Sequence, residues 1–206
     1  MTVFTDKAPK IMGDLMKDFA LDMLSAAAIV GNLGHESGGF KFLQEIKPTV
    51  SGARGGFGWA QWTGIRRRAY EAYCSRNGLD PRSDKANYAF LFVELSGDYQ
   101  SAIRDVKRAV DLRAKVIAFE LAFERAGVKH YDSRVSWAEK ALAAYRSAVK
   151  DGPIISPTDP DPPKPDDPGP SWDINAIPEQ TPDTTPPRED GGFFAALLRF
   201  FRWLAS

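Results

Sequence analysis

The chain has 206 residues with 27 basic and 27 acidic side chains, but residues 1–150 carry 23 basic and 17 acidic ones whereas residues 151–206 carry 4 and 10. The single cysteine, Cys74, excludes an intramolecular disulfide and a cysteine-rich zinc site, and with only two histidines we expect no metal and no other cofactor. Apolar runs fall short of the roughly 18 residues that a conventional transmembrane helix requires, so that class is excluded.

The N-terminal third predicts two helices. The N-terminus lacks the basic-then-apolar plan of a cleaved signal peptide, so we expect the chain to be made and folded in the cytosol. A first helix is predicted to start at Asp6 and Pro9, and its apolar side chains recur at helical spacing: Ile11, Leu15, Met16 and Phe19. The stretch from Asp22 to Leu33 has no polar face, which predicts a buried central helix.

The middle of the chain predicts a loop followed by further helices. Between Lys47 and Gly64 the periodicity disappears and five glycines occur, which indicates a loop with room for a short hairpin. Thr63 is a candidate N-cap for a helix from Ile65 to Asn77. The other predicted N-caps are Ser83 or Asp84, Asp98, Asp111 and Asp132. No strand pattern of comparable strength occurs, so the predicted fold class is mainly α.

After residue 150 the composition changes abruptly. Twelve of the 15 prolines lie between Pro153 and Pro187, so we expect residues 151–191 to form an extended, acidic Pro/Asp-rich linker. Residues 192–206 predict an amphipathic helix of about 20 Å, shorter than the roughly 30 Å hydrocarbon core of a bilayer. Such a helix favours the membrane interface, and its expected contacts are Phe193, Leu197, Arg199, Phe200, Arg202 and Trp203.

Glu36 is the first candidate for chemistry. It ends the apolar helix and precedes the turn at Gly38 and Gly39, where burial can raise the pKa of a carboxyl. A glutamate that stays protonated near neutral pH can donate a proton to a leaving-group oxygen. The alternative is that Glu36 is exposed beside a helix terminus and that Gly38 only ends the helix.

Two segments together resemble the phage tail lysozyme family of the lysozyme-like superfamily. The first is Gly34-His-Glu-Ser-Gly-Gly-Phe40, and the second is Gly55-Gly-Phe-Gly-Trp-Ala-Gln-Trp-Thr-Gly64. In that family a catalytic Glu-Ser at a helix end is followed by a Gly-x-x-Gln motif that lines the sugar cleft, here Gly58-Trp-Ala-Gln61. A third segment, Phe123-Glu-Arg125, is similar to an aromatic-Glu-Arg element at the far side of the cleft.

The resemblance implies a lysozyme-like catalytic domain in residues 1–150 that cleaves peptidoglycan at the β-1,4 bond after N-acetylmuramic acid. Glu36 would be the general acid and Gln61 would bind N-acetyl or hydroxyl groups of the sugar. The other expected substrate contacts are Trp59, Trp62, Phe123 and Glu124. Of the two tryptophans, one is expected to stack on a sugar and the other to lie in the core. For Glu124 an internal ion pair with Arg125 is the alternative.

A second catalytic carboxylate is harder to assign. Glu45 lies nine residues after Glu36, and the glycine turn between them could bring it round to act as nucleophile or base. Alternatively, Glu45 lies on the surface or ties down the loop. In the related lytic transglycosylases a single glutamate acts as acid and then as base, and the sequence leaves that outcome open.

The basic residues do not predict a nucleic-acid partner. Consecutive helical residues are about 100° apart, so Arg66, Arg67 and Arg68 would fan round a helix and could not form one stripe. Residues 104, 107 and 108 share a face, which is more typical of a solvated surface. Cys74 is expected in the core, and His130 is expected to be structural.

The interpretation favoured by these features is a phage endolysin that acts as a monomer on peptidoglycan. It would accumulate in the host cytoplasm and reach the wall with the help of a holin or through its own membrane activity. The alternatives are a virion-associated tail lysozyme, a lytic transglycosylase and, from another class, a non-catalytic peptidoglycan-binding or membrane-active protein.

Overall fold

Helices supply the regular secondary structure of this chain. The computed structural model describes residues 2–45, 48 and 53–150. In chain order the helices are α1 (Val3–Phe19), α2 (Met23–Glu36), α3 (Gly64–Arg76), α4 (Asp84–Ser96), α5 (Gln100–Arg108), α6 (Leu112–Phe119) and α7 (Tyr131–Lys150), with a π-helical turn (Glu120–Glu124) directly after α6. The prediction of a mainly α fold is confirmed. The predicted linker and C-terminal amphipathic helix lie outside the described residues.

Three helix starts are where the sequence predicted them. The side chains of Asp22, Ser83 and Asp111 each accept a hydrogen bond from the backbone N–H three residues later, which caps α2, α4 and α6. Helix α3 follows Thr63, although the threonine side chain makes no capping hydrogen bond. In the predicted loop, isolated β-bridges join Phe57 to Gln44 and to Trp62, and no strand forms among the described residues.

Three other predicted starts are wrong. Helix α1 begins at Val3 because Thr2 and Thr5 form a reciprocal capping box upstream of Asp6. Helix α5 begins at Gln100, after Tyr99 rather than after Asp98. Helix α7 begins at Tyr131 because the N–H of residue 134 already donates to the carbonyl of residue 130. Asp132, the predicted cap, instead pairs with Arg113 at 2.8 Å.

Helix α2 lies at the centre of the helical domain. Every residue from Ser25 to His35 is buried, and the helix packs against α1, α6 and α7. This confirms the prediction of a buried central helix. The approach to α7 is close at Gly31, where an added Cβ would lie 2.6 Å from the backbone nitrogen of Ala138. Within the described ranges no helix is long and apolar enough to cross a membrane.

Gly31→Ala is expected to lower the free energy of unfolding by about 1–3 kcal/mol, because α2 and α7 would have to move apart. Gly13→Ala is the matched control, since Gly13 is also helical and an added Cβ would meet no atom within 4 Å. That control should be neutral or stabilising, by up to about 1 kcal/mol. Urea denaturation measures both, and equal effects would contradict the close packing of α2 on α7.

Candidate active site

Glu36 is the last residue of α2, and its side chain is only 8% exposed. The turn after it is built by Ser37, whose hydroxyl donates to the Leu33 carbonyl and accepts from the N–H of Phe40. Gly38 and Gly39 follow with φ of 58° and 73°, a left-handed conformation that favours glycine. The chain therefore turns sharply away while the glutamate stays inside, and the alternative of an exposed Glu36 is wrong.

The partner of Glu36 is Arg134 of α7, which is fully buried. One guanidinium nitrogen, Nη2, donates to Glu36 Oε1 at 2.5 Å, and Nη1 donates to Asn32 Oδ1 at 3.0 Å. Nε donates to the carbonyl of Lys129 at 2.9 Å. Asn32 is held in turn by the carbonyls of residues 28 and 116. This network fixes a positive charge against Glu36 from across the core.

A second arginine, Arg66, supplies a parallel network. Its Nε and Nη2 donate to the two carboxylate oxygens of Glu94 at 2.7 and 2.8 Å, and Nη1 donates to the carbonyl of Phe123 at 3.2 Å. Trp62 Nε1 donates to the same Glu94 carboxylate at 2.7 Å. The guanidinium of Arg66 lies 4.4 Å from the ring centroids of Tyr99 and Phe123. These contacts join α3, α4 and the π-helical turn.

The π-helical turn carries two further carboxyls. Glu120 is fully buried and accepts from the N–H of Ala126, from Lys129 Nζ at 3.0 Å and from the Tyr131 hydroxyl. Glu124 has its Oε1 buried without a hydrogen-bond partner. The Nε of Arg125 donates to the carbonyl of residue 122, so the guanidinium is engaged away from the predicted ion pair. Short π-helical segments occur frequently at functional sites.

Burial and charge act in opposite directions on the carboxyls. Burial raises the pKa of Glu36, whereas the positive charges of Arg134 and Arg66 lower it and the negative charge of Glu120 raises it. Burial also raises the pKa of Glu124 well above its usual range, and the charge of Glu36 raises it further. His35, which precedes the acid, has its pKa lowered to about 3, first by burial and then by Arg134. Burial therefore favours the neutral form of both carboxyls and of the imidazole.

The glycine loop is held by Gln61 and Glu45. Gln61, at φ 46°, donates from Nε2 to the carbonyls of Phe42 and Gly58 at 2.9 Å each, so its amide hydrogens are used by the fold. Glu45 Oε2 accepts from the N–H of Gly56 at 2.8 Å, and the Glu45 N–H donates to the Gly56 carbonyl. The structure thus gives Glu45 the loop-tying contacts that were the alternative to a catalytic role.

A model of the phage tail lysozyme family matches residues 6–145. The chain belongs to that family. Family membership implies a lysozyme-type glycosidase with peptidoglycan as its substrate. The matched segment contains both ends of the ion pair between Glu36 and Arg134. No curated protein and no solved structure matches the chain significantly.

Within this lysozyme domain, the predicted aromatic contacts lie in the core. Trp59 and Trp62 are each 1% exposed, and Phe123 is fully buried against Phe119. The expectation that one tryptophan presents a stacking face to a sugar is therefore wrong for this structure. An added Cβ at Gly58 would lie 2.5 Å from the Trp62 ring, so the absence of a side chain at Gly58 allows the loop to pack against that ring. Trp62 and Phe123 contact the site through Glu94 and Arg66, respectively.

Two residues of the arginine run, Arg66 and Arg67, also turn inward, whereas Arg68 is exposed. Arg67 is buried, and its guanidinium donates to the carbonyls of Arg54 and Gly55, to Gln44 Oε1 and to Glu71 Oε1. Together with Arg66 it joins the loop and the site to α3. Sequence reasoning did not find four residues of the site, which are Asn32, Glu94, Glu120 and Arg134. Three of them lie on α-helices and Glu120 begins the π-helical turn, and no sequence spacing connects them.

Trp62→Phe is expected to destabilise the domain more than Trp59→Phe. Both rings are equally buried, but Trp62 Nε1 donates to Glu94 whereas Trp59 Nε1 has no hydrogen-bond partner. The lost donor should add about 1–3 kcal/mol to the cost at Trp62. Thermal unfolding of the two variants measures the difference. A larger loss at Trp59 would contradict the role of the indole N–H in holding Glu94.

Proposed function

We propose that this lysozyme-family protein hydrolyses the β-1,4 glycan bond of bacterial peptidoglycan with Glu36 as the general acid. The observation that carries the proposal is the position of Glu36, which is the last residue of the buried helix α2. Its side chain is 8% exposed, and burial raises the pKa of its carboxyl. A carboxyl of raised pKa can carry a proton at neutral pH and donate it to the leaving oxygen.

Arg134 supports the second half of that step. Once Glu36 has given up its proton, the carboxylate remains 2.5 Å from a guanidinium that is already in position. Burial thus favours the acid before proton transfer, and the ion pair stabilises the anion afterwards. The surplus of basic side chains in residues 1–150, 23 against 17 acidic ones, suits an anionic wall polymer.

Glu36→Gln is expected to reduce turnover of purified peptidoglycan by about 10²–10⁴, because the amide keeps the shape but has no acidic proton. Glu45→Gln is the matched control, because the new amide oxygen can still accept from Gly56, and we expect only a small loss. Mass spectrometry of the released muropeptides measures turnover and separates hydrolysis from formation of an anhydro sugar. Near-full turnover by Glu36→Gln would remove Glu36 from the mechanism. An equally large loss in Glu45→Gln would make Glu45 the second catalytic carboxylate.

The biological setting that we propose is lysis of the host cell from within, as a monomeric endolysin made in the host cytoplasm. The sequence of residues 193–205 supports this setting, since it contains four Phe, three Leu and one Trp together with Arg199 and Arg202. Apolar side chains could enter a membrane interface while the two arginines stay among anionic headgroups. The proline-rich linker would let the catalytic domain reach the wall from that anchor.

Deletion of residues 192–206 is expected to reduce binding to liposomes that contain anionic lipid, and to slow lysis of intact cells. Burial of half of the eight large apolar side chains would contribute several kcal/mol, at about 1.5–3 kcal/mol for each fully buried one. Activity on purified wall should not change, because the described site lies before residue 151. Liposome co-sedimentation and turbidity assays measure the two effects. Full binding and lysis by the shortened chain would contradict the membrane role and leave docking to a tail protein as the better explanation.

A further inference from the structure

Residues 125–130 connect the π-helical turn to α7, and we call them the connecting loop. The loop begins and ends in the left-handed region, with φ of 52° at Arg125 and 44° at His130. That conformation is unfavourable for residues other than glycine, and it persists where surrounding contacts hold the backbone in place. Many of the contacts that hold this loop come from one residue, Glu120.

The carboxylate of Glu120 is fully buried and bonds to both ends of the connecting loop. Oε1 accepts from the N–H of Ala126 at 2.8 Å and from Lys129 Nζ at 3.0 Å, and Oε2 accepts from the Tyr131 hydroxyl at 3.3 Å. The main-chain carbonyl of Glu120 also accepts from the N–H of Arg125 at 2.7 Å. Four donors from the loop and the first residue of α7 are therefore bonded to a single residue.

The same loop supplies one of the acceptors that hold Arg134. Nε of its guanidinium donates to the carbonyl of Lys129 at 2.9 Å, and its N–H donates to the carbonyl of His130 at 3.2 Å. The other two guanidinium contacts are with Asn32 and Glu36. A guanidinium is planar and its donor directions are fixed. A displaced Lys129 carbonyl would therefore reorient the donor that faces Glu36.

We propose that Glu120 is a positioning residue, which acts through the connecting loop to hold Arg134 in the orientation that pairs with Glu36. Glu120 bonds to Lys129 at 3.0 Å, Lys129 to Arg134 at 2.9 Å, and Arg134 to Glu36 at 2.5 Å. The carboxylate of Glu120 is fully buried and bonded within the protein, so it does not contact the substrate. The consequence for catalysis rests on the proposed function, in which Glu36 is the general acid.

Two substitutions separate the hydrogen bonds of Glu120 from its charge, which itself acts on Glu36. Glu120→Gln keeps the length of the side chain and an oxygen that can accept from Ala126, but it has no charge. Glu120→Asp keeps the charge, but it is one methylene shorter and draws the carboxylate away from the same donors. The side chain of Lys129 is 39% exposed, so its ammonium can be hydrated when the charge at residue 120 is removed.

The direct test is hydrogen exchange at the Arg134 Nε–H, followed by NMR on the ¹⁵N-labelled full chain. We expect Glu120→Asp to accelerate this exchange about tenfold, because the hydrogen bond to the Lys129 carbonyl is weakened. Glu120→Gln should keep the exchange slow, and Glu139→Asp, at an exposed position on α7, is the matched control. An unchanged rate in Glu120→Asp would overturn the proposal. So would equal acceleration in Glu120→Gln, which retains the acceptor.

The same spectra distinguish positioning from general support of the fold. The backbone N–H of Leu142, a buried residue of α7, is the internal reference. Equal acceleration at Leu142 and at the Arg134 Nε–H would show that Glu120 only stabilises the domain, which would overturn the proposal. If Glu120→Asp does not fold, Tyr131→Phe replaces it, because it removes one of the same contacts and keeps the carboxylate. Exchange at the Arg134 Nε–H should then accelerate as well, and an unchanged rate would overturn the proposal.

Kinetics on purified peptidoglycan give the second readout, at a temperature where circular dichroism shows each variant to be folded. In Glu120→Asp we expect kcat to fall by about 10–10²-fold with KM unchanged, because the charged partner of Glu36 is misplaced while sugar contacts remain. Glu120→Gln, the conservative variant, should retain most of the wild-type kcat. The reverse order, with Asp active and Gln inactive, would assign the effect to charge and overturn the positioning role. Wild-type kcat in Glu120→Asp would also overturn it.

The two readouts fail separately. Hydrogen exchange at Arg134 requires no turnover, so it tests the link between Glu120 and Arg134 whatever reaction the site performs. If Glu36→Gln keeps near-full turnover, the proposed function fails and the exchange result still decides the positioning role. If exchange is unaffected by Glu120→Asp while Glu36→Gln is inactive, the positioning role fails and the general acid stands.

Discussion

A buried ion pair between Glu36 and Arg134 is the interaction on which the site depends. Loss of one partner from such a pair typically costs about 3–5 kcal/mol, because the other charge is left buried without compensation. The pair joins α2 to α7, which pack closely where Gly31 faces Ala138. Asn32, one turn before the glutamate, holds the guanidinium in place. The contact between α2 and α7 thus provides both the close helix packing and the charge beside the Glu36 carboxyl.

That constraint explains the opposing influences on Glu36. Burial at the end of an apolar helix favours the neutral acid, and the nearby guanidinium favours the anion. Burial alone would favour holding the proton, and the guanidinium alone would favour releasing it. The two influences oppose each other at Glu36, which suits the general-acid role proposed for it. Arg66 affects the pKa of Glu36 less than Arg134 does, because its guanidinium makes a bidentate contact with Glu94.

The glycine loop shows how polar contacts can replace regular secondary structure. Isolated bridges join its backbone, and Arg67, Gln61 and Glu45 bond to its carbonyls and N–H groups. Its glutamine was expected to meet the sugar, yet both amide hydrogens are used internally. The amide of Gln61 therefore stabilises the glycine loop through the carbonyls of Phe42 and Gly58.

Local sequence determined those features that depend on neighbours along the chain. The apolar run of α2 and the capping side chains at Asp22, Ser83 and Asp111 were predictable because a helix is specified within a few residues. The start of α1 was not predictable in this way, because the capping box of Thr2 and Thr5 begins the helix before Asp6. The position of Glu36 at the end of α2 was predictable too, because the helix end and the glycine turn are adjacent in sequence.

The tertiary structure alone decided what surrounds that acid. Arg134 lies 98 residues from Glu36, and Glu94 lies 28 residues from Arg66, so no spacing rule connects either pair. Both tryptophans likewise lie in the core, although the motif that contains them was equally compatible with stacking on a sugar. The charge balance of the site depends on which helices meet, because the pKa of a carboxyl depends on its burial and on the charges around it. Sequence therefore determined the position of the proposed proton donor, and three-dimensional packing determined the direction of its pKa shift and its partners.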